Sequence, residues 1–313
     1  MKTSKIVLIG SGMVGSTFAY TVLLRGLVHE LVIIDANRAK AEGDALDLNH
    51  GLMLAKPMKI YAGDYPDCRG ADIIVITAGA AQRPGETRTD LMSRNVAIFD
   101  SIIKQVIQHN EDGILLIATN PVDILTQVAL KLSGWPKSRV IGSGTLLDSS
   151  RFRYLIAERL RVDPRSVHGF IVGEHGDSEV PVWSSLNIAG VIPDAAANQS
   201  RWNLDERAKD LIYEETRGAA YKIIERKGST YYAIALALAR ICEAILRDQH
   251  SVLAVSSYLE NYHGVHDVCL GVPTIVGRNG VEEVLEIPLT EKEMALFLAS
   301  AEKLKQFLKQ IGF

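Results

Sequence analysis

The chain has 313 residues, 47% of them hydrophobic, which is enough apolar material for two domains that share one cleft. Its formal net charge is −3 at pH 7 with no block of like charges, so neither nucleic acid nor an anionic membrane is an expected partner. The cysteines Cys68, Cys242 and Cys269 lie far apart with no C-x-x-C pair, which argues against disulfides and structural zinc and suits a reducing compartment.

Met1 to Lys5 runs directly into the strand-like residues 5–9, leaving no signal-peptide apolar region. No apolar run approaches the ~18 residues of a membrane span, so a soluble, cytoplasmic protein is expected. The strand ends in Gly10-Ser11-Gly12-Met13-Val14-Gly15, after which residues 16–24 read as an apolar helix. A second strand over 31–34 ends in Asp35, twenty residues beyond Gly15, where a dinucleotide fold places the acid that binds a ribose. The glycines let the backbone approach a pyrophosphate, and the helix start offers unpaired N–H groups and a positive dipole end. A 2′-phosphate would meet the Asp35 carboxylate and be repelled, so NAD is expected rather than NADP.

The βα alternation continues with a helix over 37–50, a buried strand over 72–77 and a glycine-containing loop. A helix over 91–109, a strand over 114–118, a helix over 122–133 and a short strand over 140–142 follow. Continuous apolar strands between helices predict a parallel sheet covered on both faces, with Thr77, Gly79 and Asn120 at strand ends over one crevice. The pattern then changes: a helix over 148–160, antiparallel pieces within 167–171 and 180–188, and helices over 205–227 and 231–246. Paired strands over 252–259 and 268–276 and a last helix over 291–310 complete it. The expected architecture is α/β: a Rossmann-type doubly wound parallel sheet over residues 1–142, then an α+β catalytic domain over 143–313.

Three places carry candidate chemistry. Gly173-Glu174-His175-Gly176 ends an apolar run and sets a histidine between glycines on a turn, which suits either a surface-turn side chain or a working imidazole. Asp148 and Arg151, three apart, share one face of a helix, whereas Arg153 is rotated by about 200° and serves another surface. Alone, Asp148 reads as an ordinary helix cap and Arg151 as a solvated ion pair. The loop from Gly79 to Arg88 follows a strand end and contains a Pro84-Gly85 turn, so it suits a lid that could deliver Arg88 to the crevice.

Six motifs together resemble those of bacterial L-lactate dehydrogenases, within the lactate/malate dehydrogenase superfamily. They are the glycine turn at 10–15, Gln82-Arg83-Pro84-Gly85-Glu86-Thr87-Arg88, Thr119-Asn120-Pro121-Val122-Asp123, Leu147-Asp148-Ser149-Ser150-Arg151-Phe152-Arg153, Gly173-Glu174-His175-Gly176-Asp177 and Lys227-Gly228-Ser229-Thr230. They occur in the family's order and span nearly the whole chain. Arg83, where lysine is common, and Ala233, where glycine is common, are mild departures.

The resemblance implies that His175 is the general acid and base of a hydride transfer between NADH and pyruvate, giving L-lactate. It implies that Asp148 orients and charges that imidazole, Arg151 grips the substrate carboxylate, and Arg88 polarises the carbonyl when the lid closes. Gln82, Asn120 and Thr230 complete the substrate pocket, and Gly10, Gly12, Met13, Val14, Gly15, Asp35, Thr77, Gly79 and Asn120 hold the cofactor. No metal is implied, since arginine and imidazolium supply the electrophile. Malate is the competing substrate: related malate enzymes carry an arginine where Gln82 stands, and Glu86 disfavours a dianion, so lactate is favoured. A catalytically silent NAD-binding protein would keep the glycines and Asp35 but lose His175, Asp148, Arg151 and Arg88. Arg153 and His168 match positions that bind fructose 1,6-bisphosphate across a subunit interface in allosteric relatives, which implies a homotetramer or dimer of dimers. Singly, these two residues also read as a solvated helix charge and a strand-end histidine.

Overall fold

The computed structural model describes residues 3–80, 88–193 and 204–313, with the side chains of Arg88 and Thr89 excepted. The first half alternates β1 (Lys5–Ile9), α1 (Met13–Arg25), β2 (Glu30–Ile34), α2 (Arg38–His50), β3 (Lys59–Ala62), β4 (Ile73–Ile76), α3 (Arg88–Ile107), β5 (Ile114–Ile117), α4 (Val122–Ser133) and β6 (Val140–Gly142). The second half begins with α5 (Leu146–Leu160) and four two-residue strands, β7 (Val167–His168), β8 (Ile171–Val172), β9 (Val180–Pro181) and β10 (Asn187–Ile188). It continues with α6 (Glu206–Lys227), α7 (Tyr232–Leu246), β11 (Ser251–Leu259), β12 (Val268–Gly277), β13 (Gly280–Val284) and α8 (Glu291–Gln310).

Every residue of β4 and β5 is buried, as expected of parallel strands with helices on both faces. The strand order is β13-β12-β11-β6-β5-β4-β1-β2-β3. The pairs from β3 to β6 are parallel, and the order reverses between β1 and β4, so a crevice opens at the carboxyl ends of these two strands. The change of pattern near residue 143 does not end the sheet. β11 pairs antiparallel with β6, Ser256 opposite Gly142, and the β11–β12–β13 meander extends the same sheet.

Two strands escape the sequence pattern, β3 and β13. β3 has four residues and is bordered by a loop and a short 3₁₀ turn, while β13 places Glu282 and Glu283 on an edge, so neither shows a long apolar run. Several helices also start earlier than their apolar periodicity suggests. α1 begins at Met13 and α5 at Leu146, because the sheet and the preceding turn, not side-chain caps, set these starts.

Apolar side chains fill both faces of the sheet. One cluster joins Val7, Ile74 and Leu115 to Phe99, Val128 and Phe297, and the other joins Ile6, Leu8 and Leu31 to Phe18 and Leu238. A third, smaller core lies beneath α5 and α6: Phe152, Ile156, Leu160, Ile171 and Ile212. Phe152 is fully buried and meets Trp183 edge-on at 4.7 Å between ring centres. All three cysteines are buried and unpaired. Among the described residues, no helix is long and apolar enough to cross a membrane.

Phe152 lies within the helix turn that also bears Asp148 and Arg151, so its packing seats both. Phe152→Ala is expected to cost about 3–5 kcal/mol, read as a lower urea midpoint at unchanged slope. A loss below about 1 kcal/mol would show that α5 is held by something else.

Candidate active site

The first part of the site is the glycine turn between β1 and α1. Gly10 has φ 98°, and a Cβ there would lie 2.5 Å from the Ala78 backbone nitrogen. At Gly15 a Cβ would come within 2.0 Å of the Gly10 carbonyl oxygen, so the turn and helix close only without a side chain. Around Gly12, in contrast, a Cβ would have nothing within 4 Å, and no side chain caps α1. The turn therefore leaves open space against the unpaired N–H groups of a helix start, as a pyrophosphate requires. Met13 is exposed and Val14 half-buried at the same end.

Asp35 closes this cradle. Its Oδ2 accepts the Ser11 backbone N–H at 2.6 Å and its Oδ1 accepts that of Asn37 at 2.8 Å, which fixes the carboxylate at the end of β2. Thr77 braces the turn, its hydroxyl donating to the Gly10 carbonyl at 2.6 Å. Gly79 lies against Thr119, whose hydroxyl donates to the Ala78 carbonyl at 2.7 Å. Asn95, buried on α3, accepts the Ala80 N–H at 2.8 Å and donates to the Asn120 carbonyl at 3.3 Å, tying the two crevice loops together. The residues fit NAD: a glycine cradle at a helix start and a half-buried acid at the end of the second strand.

The second part is the acid–base centre. Helix geometry puts Asp148 and Arg151 on one face of α5, and Arg151 Nη1 donates to Asp148 Oδ1 at 2.9 Å. The other Asp148 oxygen, Oδ2, lies 2.5 Å from His175 Nδ1. One carboxylate, 2% exposed, thus orients both an imidazole and a guanidinium. His175 comes from the turn between β8 and β9 and is only partly buried.

Three elements hold that turn. The His175 backbone N–H donates to Asp123 Oδ2 at 2.8 Å, and Asp123 Oδ1 accepts the Ser256 hydroxyl at 2.6 Å. Glu174 donates its N–H to Ser300 at 2.9 Å and pairs with Lys303 at 2.7 Å, both on α8. From α6, Tyr213 donates to the Glu179 carbonyl at 2.7 Å and Tyr221 to Asp177 at 3.0 Å. α8 starts with a reciprocal cap, Thr290 with Glu293, and α6 with Asp205 accepting the Ala208 N–H, so both clamps rest on well-formed helices.

The electrostatics follow from this geometry. Burial alone would lower the His175 pKa, but Asp148 reverses that, with Asp123 and Glu179 adding to it, and the imidazole is raised to about 9. Burial would raise Asp148, yet His175 and Arg151 hold it below the ordinary carboxylate value. Asp123, buried and only partly compensated by Ser256 and the His175 N–H, is pushed up to about 6. Imidazolium and carboxylate are the charge states this site favours near neutral pH.

Arg151 and Thr230 line one cleft of about 700 Å³ with Lys227, Tyr231 and Tyr232. Asn120 is exposed at the crevice, next to the cis Asn120–Pro121 peptide. Arg153 points to a separate cleft of about 370 Å³ shared with Arg165 and Arg240, and His168 is exposed on β7. Gln82, Arg83 and Glu86, and the side chain of Arg88, lie outside the described residues. The sequence reading assigned no role to Asn95, Asp123 or Glu179. Asp123 stood inside a quoted motif, but its partner Ser256 is 133 residues away and no local pattern could show the pairing.

Two family models match the chain: lactate/malate dehydrogenase, NAD binding domain, over residues 4–142, and the alpha/beta C-terminal domain of the same family over 145–312. The chain is 52% identical over 307 residues to an L-lactate dehydrogenase of Acetivibrio thermocellus, covering 98% of this chain and 97% of that protein. It is 51% identical over 310 residues to L-lactate dehydrogenase 1 of Clostridium acetobutylicum, 99% of each. Among solved structures, the minor L-lactate dehydrogenase of Enterococcus mundtii in its ligands-bound form superposes with TM-score 0.96 at 43% identity, covering 99% of each chain. A lactate dehydrogenase from a Medee basin deep-sea metagenome library gives 0.97 at 42%, covering all of both.

The raised imidazole pKa is attributable chiefly to Asp148, so Asp148→Asn should lower it well below about 9, towards its ordinary 6.5, because burial is then opposed only by the lesser contributions of Asp123 and Glu179. Titration of the histidine ring by NMR reads this directly. A ring still titrating near 9 would mean that another charge sustains it.

Proposed function

The chain belongs to the lactate/malate dehydrogenase family, and from that premise we propose that it is an NAD-dependent L-lactate dehydrogenase reducing pyruvate to L-lactate. The observation that carries the reading is the buried Asp148 carboxylate shared between His175 and Arg151. It fixes a proton donor and a carboxylate-binding cation on the two oxygens of one carboxylate, as a 2-oxo acid needs. Such a protein serves the reductive end of a fermentation and works in the cytoplasm.

Gly10, Gly12, Met13, Val14, Gly15, Asp35, Thr77 and Gly79 would hold NADH, which would supply the hydride for the carbonyl carbon. Arg151 holds the substrate carboxylate as a bidentate pair, which lysine could not copy. His175, charged through Asp148, gives its proton to the carbonyl oxygen, and Asp148 keeps the ring in the tautomer that exposes the other nitrogen. Arg88 would add positive charge at the carbonyl oxygen, and Asn120 and Thr230 would bound the pocket. In the reverse direction a neutral His175 accepts the hydroxyl proton of lactate.

The choice of lactate over malate rests on the resemblance at Gln82, where an arginine would meet a second carboxylate. Arginine there would pair with oxaloacetate but leave a buried unpaired charge facing the pyruvate methyl, a difference of about 3–5 kcal/mol. A spectrophotometric assay should show NADH oxidised far faster with pyruvate than with oxaloacetate, and Gln82→Arg should invert the ratio of the kcat/KM values. His175→Asn should lower kcat by about 10²–10⁴-fold while NADH affinity stays within about twofold. Equal turnover of both acids, or equal loss of NADH affinity and kcat, would contradict the reading.

We also propose a homotetramer regulated by fructose 1,6-bisphosphate through Arg153 and His168. In support, α5 packs on β7, so the two residues lie on adjoining elements, and Arg165 and Arg240 add charge to the Arg153 cleft. The almost fully exposed Met53 and Leu54 suit an interface between subunits. Millimolar fructose 1,6-bisphosphate should lower the apparent KM for pyruvate. Arg153→Gln should abolish the effect. An unchanged KM would return both residues to structural roles.

A further inference from the structure

Glu179 is a second buried carboxyl beside the acid–base centre, and the mechanism above leaves it unused. It is 4% exposed, and its Oε1 has no hydrogen-bond partner among the described residues. Burying an unpaired carboxylate oxygen is costly unless the group holds a proton or answers a specific demand of the site. Its position is not accidental to the fold. The Glu179 N–H donates to the Gly176 carbonyl at 3.1 Å, closing the turn that begins at His175, and the next residue, Val180, pairs with Val172. One short hairpin therefore carries both His175 and Glu179 to the acid–base centre.

The groups around it come from four elements. α5 contributes Asp148 and Arg151, α6 contributes Tyr213 and the more exposed Arg217, and its own turn contributes His175 and Asp177. From α4, Asp123 acts on the same imidazole. An ionised Glu179 would put a second negative charge beside Asp148 where water does not reach, within the field of the guanidinium that grips the substrate carboxylate. That charge would oppose an anionic substrate on Arg151.

Resting on the L-lactate dehydrogenase reading, we propose that Glu179 is a positioning residue that must carry its proton for a 2-oxo acid anion to bind. Its ionisation, together with that of His175, closes the pocket at alkaline pH. Burial, then the neighbouring Asp148 charge, pushes its pKa up to about 8, with His175 and Arg151 opposing. At neutral pH the group is thus neutral, and the site presents one acid, Asp148, to its two cations. As pH rises, the fully protonated pair loses two protons, one from Glu179 and one from His175, and the order of loss belongs to the pair. Both losses weaken pyruvate reduction, the first by repelling the anion and the second by removing the proton donor.

The test is kcat/KM for pyruvate with saturating NADH, from about pH 6 to about pH 10.5, in wild type and in Glu179→Gln, which keeps shape and removes the titration. The wild type should fall with a limiting slope of about two in log kcat/KM per pH unit, and the variant with a slope of about one. The extra wild-type loss should appear in KM, because repulsion acts on binding. A wild-type slope of one, or an unchanged slope in the variant, would overturn the proposal, and the wild-type profile decides even if the variant fails to fold. Absence of pyruvate turnover at neutral pH would instead overturn the L-lactate reading on which the proposal rests.

Discussion

The Asp148 carboxylate is the constraint on which the rest of the site depends. A buried carboxylate is tolerated only if its charge is met, and here two cations meet it from different directions. Arg151 comes from the same helix, one turn away, and His175 from a hairpin 27 residues later. Removing either partner would leave the acid short of charge, and removing the acid would release both cations from their orientation. The arrangement makes the imidazole basic and the guanidinium stationary at once.

Everything packed around it serves to keep that hairpin still. Its backbone is fastened to α4 through Asp123, to α8 through Ser300 and to α6 through Tyr213, and its Glu174 and Asp177 carboxylates to Lys303 and Tyr221. The fastenings reach it from both halves of the chain, because β11 joins the sheet at β6 and carries Ser256 up to Asp123. A hydride transfer needs this precision, since a displacement of about 1 Å between donor, acceptor and acid costs orders of magnitude in rate. The cofactor cradle is built on the same economy of side chains. Gly10 and Gly15 let β1, α1 and Ala78 approach more closely than any Cβ permits, and open space remains at Gly12.

Much of this was legible in the sequence, because the relevant signals are local. The strand–glycine–helix unit with Asp35 lies within some thirty residues, and the Asp148–Arg151 pair follows from helical spacing alone. What stayed hidden is tertiary. Asp123 and Ser256 are partners only because an antiparallel strand is added to a parallel sheet, and sequence periodicity carries no information about that neighbour. Glu179 was overlooked for a different reason. Its place just before the apolar residues 180–183 marks an acid pulled into a core, yet only the coordinates show that the core in question borders His175. The short strands β3 and β13 fell below the length at which alternation can be distinguished from loop.

The central claim is that Asp148 stabilises the imidazolium rather than merely holding a ring in place, and the pH dependence of one reaction separates these roles. Pyruvate reduction needs His175 charged. kcat/KM for pyruvate at saturating NADH should be measured from about pH 5 to about pH 10 for wild type and for Asp148→Asn, which keeps the size of the side chain and removes its charge. The alkaline fall of the wild type is predicted to move to lower pH by more than about one unit in Asp148→Asn, because the imidazole then loses its proton well below about 9. A variant that loses activity but keeps the wild-type alkaline limb would contradict the claim, since it would show a carboxylate that positions the ring without charging it.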